Sequence, residues 1–93
     1  MLQKNQTRYG ISTAVLHAST VLVVRADNSL DSTIRKACKG QSVEFCTPAE
    51  FQKKAIMEHT LLTKRIILLG FEEYYVILRQ VYDQIRSGRS FIQ

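Results

Sequence analysis

The sequence predicts a small α/β domain, with a parallel or mixed sheet of three to four strands flanked by three helices. The chain has 93 residues and 10.7 kDa, which is enough for one hydrophobic core and too little for a second. Short β-branched runs alternate with segments whose apolar residues recur every three or four positions. Each strand and helix together take about 22 residues, and such short connections favour crossovers that place helices on a sheet.

Two strands are predicted near the start of the chain. Residues 20–26 read TVLVVRA, and their near-continuous hydrophobicity is typical of a strand that is covered on both faces. Residues 11–16 have a similar composition and predict another strand. The intervening residues, 17–19, lack the Asn-Gly or glycine-rich chemistry of a tight hairpin.

A first helix is predicted after these strands. Asn28 or Ser29 is expected to cap it, and Gly40 lies where a left-handed residue would end it. Its apolar residues follow the spacing i, i+4, i+7 and i+8: Leu30, Ile34, Ala37 and Cys38.

A further strand and a second helix follow. Val43 and Phe45 alternate with polar residues, which indicates a strand. Thr47 and Glu50 form a capping box around Pro48, so a helix is expected to begin there. Lys53 and Lys54 are expected to face water, and the predicted buried stripe of this helix is Phe51, Ala55, Ile56, His59 and Leu62.

The last third of the chain contains one ambiguous segment and one clear helix. Residues 65–70 read RIILLG, which fits either a buried strand or the final turns of one long helix; we favour the strand. The alternative fold is therefore an α+β domain with two long C-terminal helices. Beyond Gly70 a helix of about four turns, closed by Gly88, is predicted from apolar residues at helical spacing: Phe71, Tyr74, Tyr75, Leu78, Val81, Tyr82 and Ile85.

Self-association is predicted from the size of the domain. A sheet of three or four strands in one domain over residues 1–93 leaves an edge and part of a face uncovered. A second copy would cover them, so we expect a homodimer. Residues 1–9 and 87–93 are polar ends that we expect to be flexible.

The apolar stripe of the last helix is wider than a small sheet can cover. Such surplus apolar surface is typical of an interface, and tyrosine suits one because it joins a large ring to a polar tip. The predicted protein interface consists of Tyr74, Tyr75, Leu78, Tyr82 and Ile85.

Basic residues form the second candidate site. The net charge is +5 and the pI is about 9.5, which favours nucleic acid, acidic lipid or an acidic protein as a partner. Residues 1–71 hold ten basic and five acidic side chains, and residues 72–93 hold three of each. The alternative is an ordinary solvated surface, and no sequence-specific DNA- or RNA-binding motif is present. The candidate phosphate contacts, expected on one side of the sheet, are Arg35, Lys36, Lys39, Lys53, Lys54, Lys64 and Arg65.

No catalytic, cofactor or metal site is predicted. Cys38 and Cys46 lack the spacing of a zinc site and are interpreted as buried small side chains. His17 and His59 are interpreted as packed histidines rather than metal ligands or an acid–base pair. No apolar run is long enough to cross a bilayer, and residues 1–10 are polar. Two cysteines are also too few for a disulfide-scaffolded secreted domain. We therefore expect a protein of the reducing cytoplasm that does not enter a membrane.

Residues 20–55 resemble the opening of response-regulator receiver domains, with a strand, an acidic turn, a helix, a second strand and a second helix in that order. The domain would also be receiver-like or thioredoxin-like in size. A working receiver needs an acidic pair after its first strand, and here Arg25 and Ala26 lie at those positions and only Asp27 remains. The candidate third strand ends in Gly70 and Phe71 without the phosphoacceptor aspartate. The resemblance therefore implies a receiver-like module without phosphoryl transfer.

Three functional hypotheses follow. The first is a small non-enzymatic regulatory or adaptor protein that binds itself or another protein through its last helix. The second is a basic regulator associated with nucleic acid, in transcription or genome maintenance. The third is a small enzyme whose site would have to lie at the seam of a dimer.

Overall fold

A computed structural model of the chain describes residues 9–87. Predictions that fall on residues 1–8 and 88–93, including the closure of the last helix by Gly88, lie outside the described residues. Four strands and four helices follow one another in the described part: β1 (Ile11–His17), β2 (Thr20–Arg25), α1 (Asp31–Ala37), β3 (Ser42–Cys46), α2 (Pro48–Met57), α3 (Thr60–Thr63), β4 (Ile66–Leu69) and α4 (Phe71–Ser87).

The four strands form one mixed sheet in the order β3-β2-β1-β4. β2 and β3 are parallel and are joined through α1, as a crossover requires. β1 is antiparallel to both of its neighbours, β2 and β4. The α/β class with a small mixed sheet is thus confirmed, and an all-parallel sheet is excluded.

A tight hairpin joins β1 to β2, although its sequence lacks the usual turn residues. His17 pairs with Thr20, so only Ala18 and Ser19 lie in the loop. Both adopt left-handed conformations, with φ of 51° and 67°. Such conformations cost about 1–2 kcal/mol per non-glycine residue. Pairing along the whole length of β1 and β2 holds the two turn residues in this conformation. Turn chemistry alone therefore gave the wrong expectation here.

The two faces of the sheet carry cores of different size. α2, α3 and α4 cover what we call the major face, and α1 covers the minor face. The buried core of the major face consists of Val15, Leu22, Val24, Cys46, Phe51, Ala55, Leu61, Leu62, Tyr74, Ile77 and Val81. The buried core of the minor face consists of Ile11, Ala14, Val21, Val23 and Ile34. Alternate residues of β2 enter both cores, which confirms that this strand is covered on both faces.

The first helix is shorter than predicted at both ends. The carboxylate of Asp27 accepts hydrogen bonds from the backbone N–H (2.9 Å) and the hydroxyl (2.6 Å) of Ser29, which forms a turn before the helix. α1 then begins at Asp31, with Leu30 at the cap position and no side-chain cap. Gly40 has a left-handed φ of 80°, as expected, but it lies in the turn after the helix and not at its end.

The capping box of the second helix is confirmed. The Thr47 hydroxyl accepts a hydrogen bond from the Glu50 backbone N–H, and the Glu50 carboxylate accepts one from the Thr47 backbone N–H. This backbone hydrogen bond also lowers the pKa of Glu50. α2 ends at Met57, and His59, predicted in its buried stripe, is exposed because the helix breaks before α3.

The ambiguous segment before the last helix is a strand. Ile66–Leu69 pairs with β1, so the preference for a strand is confirmed and the alternative of two long C-terminal helices is wrong. Gly70 has a φ of 68°, a left-handed conformation that glycine adopts without strain. It turns the chain directly from β4 into α4, which begins at Phe71.

Candidate interaction surface

α4 carries two apolar surfaces with different surroundings. Tyr74, Ile77 and Val81 point into the major core and are 0%, 5% and 0% exposed. A second set remains open to solvent: Phe71, Tyr75, Val76 and Tyr82 are 56%, 52%, 58% and 45% exposed. We call these four residues the outer surface of α4.

Tyr74 is a core residue and not part of an exposed interface. Its hydroxyl donates a hydrogen bond to the Leu61 carbonyl and accepts one from the Arg65 guanidinium, both at 2.8 Å. Its ring packs edge-on against Phe51 and Tyr75, with centroids 6.2 and 5.5 Å apart. Burial raises the pKa of Tyr74, and the Arg65 hydrogen bond partly opposes that shift. Its side chain points between the sheet and α3, which helical spacing alone did not reveal.

Two of the five predicted interface residues are exposed. Tyr75 and Tyr82 belong to the outer surface, whereas Leu78 and Ile85 are half-buried against the major core. The predicted interface omitted Phe71 and Val76. The signal for Phe71 was its position four residues before Tyr75, which extends the same side of the helix by one turn.

Phe71, Tyr75 and Tyr82 lie on the side of α4 that faces away from α2. Val76 lies about 100° further round the helix from Tyr75, toward Gln80. On the opposite side, Gln52 of α2 donates a hydrogen bond to Gln80 and accepts one from Gln84, at 2.6 and 2.8 Å. α2 packs on β2 and β3, and α4 packs on β1 and β4. Phe71, Tyr75 and Tyr82 are therefore on the same side as β4, where the sheet has a free edge among the described residues.

A shallow groove of about 490 Å³ runs along the outer surface. Charges of opposite sign, Glu72 and Arg79, lie two helical turns apart among its lining residues. Every described residue that lines it belongs to α4: Phe71, Glu72, Tyr75, Val76, Arg79 and Gln80.

The seven candidate phosphate contacts do not form one patch. Arg35 and Lys36 belong to α1 on the minor face, and Lys39 follows that helix. Lys53 and Lys54 are exposed on α2, which covers the opposite face. The expectation that these residues share one side of the sheet is therefore wrong, because α1 packs on the minor face and α2 packs on the major face.

Two of the seven candidate cations also take part in packing. The guanidinium of Arg35 lies 5.0 Å from the centre of the Phe45 ring. Arg65 lies 5.0 Å from the centre of the Tyr74 ring in addition to its hydrogen bond there, while the neighbouring Lys64 is exposed.

An ion pair occupies the end of β2. Arg25 donates two hydrogen bonds to Asp31, at 2.8 and 2.6 Å, and the two side chains are only 12% and 21% exposed. The hydrogen bond raises the pKa of Arg25 and lowers the pKa of Asp31. The pair joins the end of the strand to the first turn of α1.

The cysteines and histidines are separated in the fold. Cys46 is buried in the major core, where burial raises its pKa to about 11, and Cys38 packs beside the minor core. His17 lies 2.7 Å from the Thr60 hydroxyl, while His59 is exposed, so the packed position predicted for both histidines holds for one.

Two features are absent from residues 9–87, a cluster of metal-ligating side chains and a membrane-spanning helix. No group of three His, Cys, Asp or Glu side chains within residues 9–87 is arranged to hold a metal ion. None of the helices in the same range has the length and hydropathy needed to cross a bilayer.

Comparison with known proteins gives no family. No protein-family model matches the chain, and no curated protein or solved structure is similar to it.

Proposed function

We propose that this chain is a small non-enzymatic regulatory or adaptor protein that acts through protein–protein interaction and self-association, with the outer surface of α4 as its contact surface. The observation that carries the proposal is the open side of this helix, where four large apolar side chains are each about half exposed or more. Single exposed apolar residues are common on monomers, whereas contiguous groups of them mark interaction sites. A cytoplasmic location, predicted from the cysteine content, is part of this proposal.

The composition of the outer surface supports a protein as the partner. Two of its four residues are tyrosines, which are enriched in interfaces because a large ring is ordered at low entropic cost. The helix that carries it is held rigidly by the inner residues Tyr74, Ile77 and Val81. A rigid surface loses little conformational entropy when a partner binds.

From the resemblance to receiver domains, we propose that the chain is a receiver-like module that keeps the surfaces of a receiver without its phosphoryl-transfer chemistry. Asp27, at the remaining acidic position, accepts two hydrogen bonds from Ser29, which lower its pKa. Arg25 is paired with Asp31. These local contacts support a structural role for the turn after β2.

Site-specific photo-crosslinking tests the proposal in the cells that produce the protein. A photoreactive phenylalanine analogue is placed at position 75 and, as the control, at position 57. Met57 is 87% exposed at the end of α2, so it matches Tyr75 as an accessible apolar position outside the outer surface. We expect position 75 to capture a protein, either another copy or a different chain, and position 57 to capture none. Capture at neither position, or equally at both, would contradict the proposal.

Nucleic acid is tested in parallel with purified protein. Binding of a short duplex is measured at low and moderate salt, because phosphate contacts weaken steeply as salt rises. Replacement of Arg35, Lys36 and Lys39 by glutamine should leave protein capture at position 75 unchanged. Salt-sensitive duplex binding that these replacements abolish would favour the nucleic-acid hypothesis instead.

A further inference from the structure

Within residues 9–87, β4 forms a free edge of the sheet beside the outer surface, and this edge has an unusual composition. β4 reads IILL, with no charge, proline or polar residue, and Ile66 is 60% exposed. Edge strands normally carry such residues because an unprotected edge pairs with other chains. The other edge strand, β3, carries the exposed polar residues Ser42 and Glu44. β4 therefore lacks the charged, proline and polar residues that usually prevent an edge from pairing with another strand.

We propose that a second copy of this chain binds at the β4 edge, with β4 antiparallel to β4 of the partner and α4 antiparallel to α4 of the partner, in one continuous sheet of eight strands. This inference rests on the proposed function and names the partner of the same surface. A single two-fold axis perpendicular to the sheet produces both contacts, because it reverses the direction of each strand and keeps both helices on the major face.

The spacing of the elements supports this arrangement. α4 contacts both β1 and β4, and we place its axis about midway between these strands in the proposed dimer. Neighbouring strands are about 4.8 Å apart, so the two-fold axis beyond β4 is about 5 Å from the axis of α4. The two copies of α4 would then be about 10 Å apart, close to the 8–10 Å at which helices pack.

The position of the axis along the helix follows from the chain geometry. The middle of β4, between Ile67 and Leu68, lies about 8 Å along the strand from Gly70, at about 3.3 Å per residue. α4 runs back over the sheet at about 1.5 Å per residue, so it reaches the same level near Tyr75 and Val76. The groove of the outer surface, lined from Phe71 to Gln80, has its centre at this point of the helix.

The charges along the groove are complementary in this geometry. With the axis near Tyr75 and Val76, Glu72 of one copy lies opposite Arg79 of the other, and this contact occurs twice. A parallel pairing of the helices would instead place Glu72 against Glu72 and Arg79 against Arg79. The charges therefore favour the antiparallel arrangement that the strand edge also requires.

A dimer contact of sufficient area requires both α4 and the edge of β4. A 17-residue helix presents a strip about 25 Å long and 10 Å wide, which falls short of the roughly 800 Å² per partner in a stable interface. The adjoining strand edge and Ile66 enlarge it.

A charge-exchange series tests the antiparallel pairing. Glu72→Arg and Arg79→Glu each place like charges in contact across the axis, and the double variant restores opposite charges. We expect each single variant to raise the dimer dissociation constant at least tenfold in analytical ultracentrifugation, and the double variant to return it to within about threefold of the original. Glu73→Arg is the matched control, since its position lies on the α2 side of the helix with Gln80.

Hydrogen exchange tests the strand pairing in the same samples. Dilution below the dimer dissociation constant should accelerate exchange of β4 amides, while amides of the other edge strand, β3, should not change. Three results would overturn the inference: a monomer at all concentrations, a dimer that the single charge variants leave intact, or β4 amides insensitive to dilution. A monomer whose position 75 still captures a different protein overturns this inference and leaves the proposed function standing.

Discussion

The inner and outer sides of α4 have the same kind of side chains in different surroundings. Tyr74 and Tyr75 are neighbours in the sequence, yet the first is fully buried and the second is 52% exposed. The difference arises because one residue of helix turns the side chain by about 100°. Apolar character therefore identifies the helix, but only the packing around it shows which side stabilises the fold and which side is left to bind.

Truncation of the two neighbouring tyrosines should give the largest difference in stability between the inner and outer sides of α4. Tyr74→Ala should lower the free energy of unfolding by about 3–5 kcal/mol, because it leaves a cavity in the major core. Tyr75→Ala should lower it by less than about 1 kcal/mol, the value of its edge-on ring contact. Urea unfolding followed by circular dichroism measures both, at a concentration where the protein is monomeric. Equal losses would show that the two sides of the helix are not distinct.

Removal of a single hydroxyl group sharpens the same contrast. Tyr74→Phe should cost about 1–3 kcal/mol, because the buried Leu61 carbonyl and Arg65 lose their partner. Tyr82→Phe is the matched control on the outer surface and should change unfolding by less than about 0.5 kcal/mol. The same urea experiment tests both, and a large effect of the control would place the Tyr82 hydroxyl in a stabilising contact.

Acid titration extends the comparison to the minor face. The pKa of Asp31 is lowered by Arg25, so its contribution to stability is fully present above the unfolded pKa near 4 and is lost as the pH falls through the lower folded pKa. Asp31→Asn should therefore reduce stability by about 1 kcal/mol at pH 7 and flatten its decline in acid. Thermal unfolding between pH 7 and 2 measures this, and an unchanged acid profile in the variant would contradict the role of the pair.

Thiol labelling compares a buried and a half-buried cysteine without altering stability. Cys46 is buried and its raised pKa, about 11, keeps it protonated at pH 8, so it should react far more slowly than Cys38. A chromogenic disulfide reagent should label one thiol in the folded protein and two in urea. Rapid labelling of both in the folded state would mean that the major core opens readily.

The sequence predicted most elements because their signals are local. The capping box at Thr47, the covered strand over residues 20–26 and the last helix each depend on spacing within a few residues. The strand Ile66–Leu69 was ambiguous because four apolar residues fit either structure, and pairing with β1 decided it. The hairpin at Ala18 and Ser19 was missed because pairing between β1 and β2 stabilises it, and not the residue types in its turn.

The sequence placed the exposed apolar surface on the correct helix but did not select all of its residues correctly. Tyr75 and Tyr82 were identified, but Tyr74 belongs to the core and Phe71 was left out. Residues at helical spacing can be assigned to a stripe, yet the rotation of the helix on the sheet selects which of two neighbouring stripes is buried. The basic residues show the same limit, since their sequence clusters lie on opposite faces of the sheet.

Local patterns in the sequence were enough to predict the first three strands, the helices α1, α2 and α4, and the surplus apolar surface on the last helix, because periodicity and capping are properties of adjacent residues. Tertiary contacts were needed to establish β4 and α3, the antiparallel direction of β1, the packing of α1 on the opposite face from the other helices, and the position of the outer surface beside the edge strand β4. These arrangements depend on contacts between residues far apart in the chain, which no local pattern records.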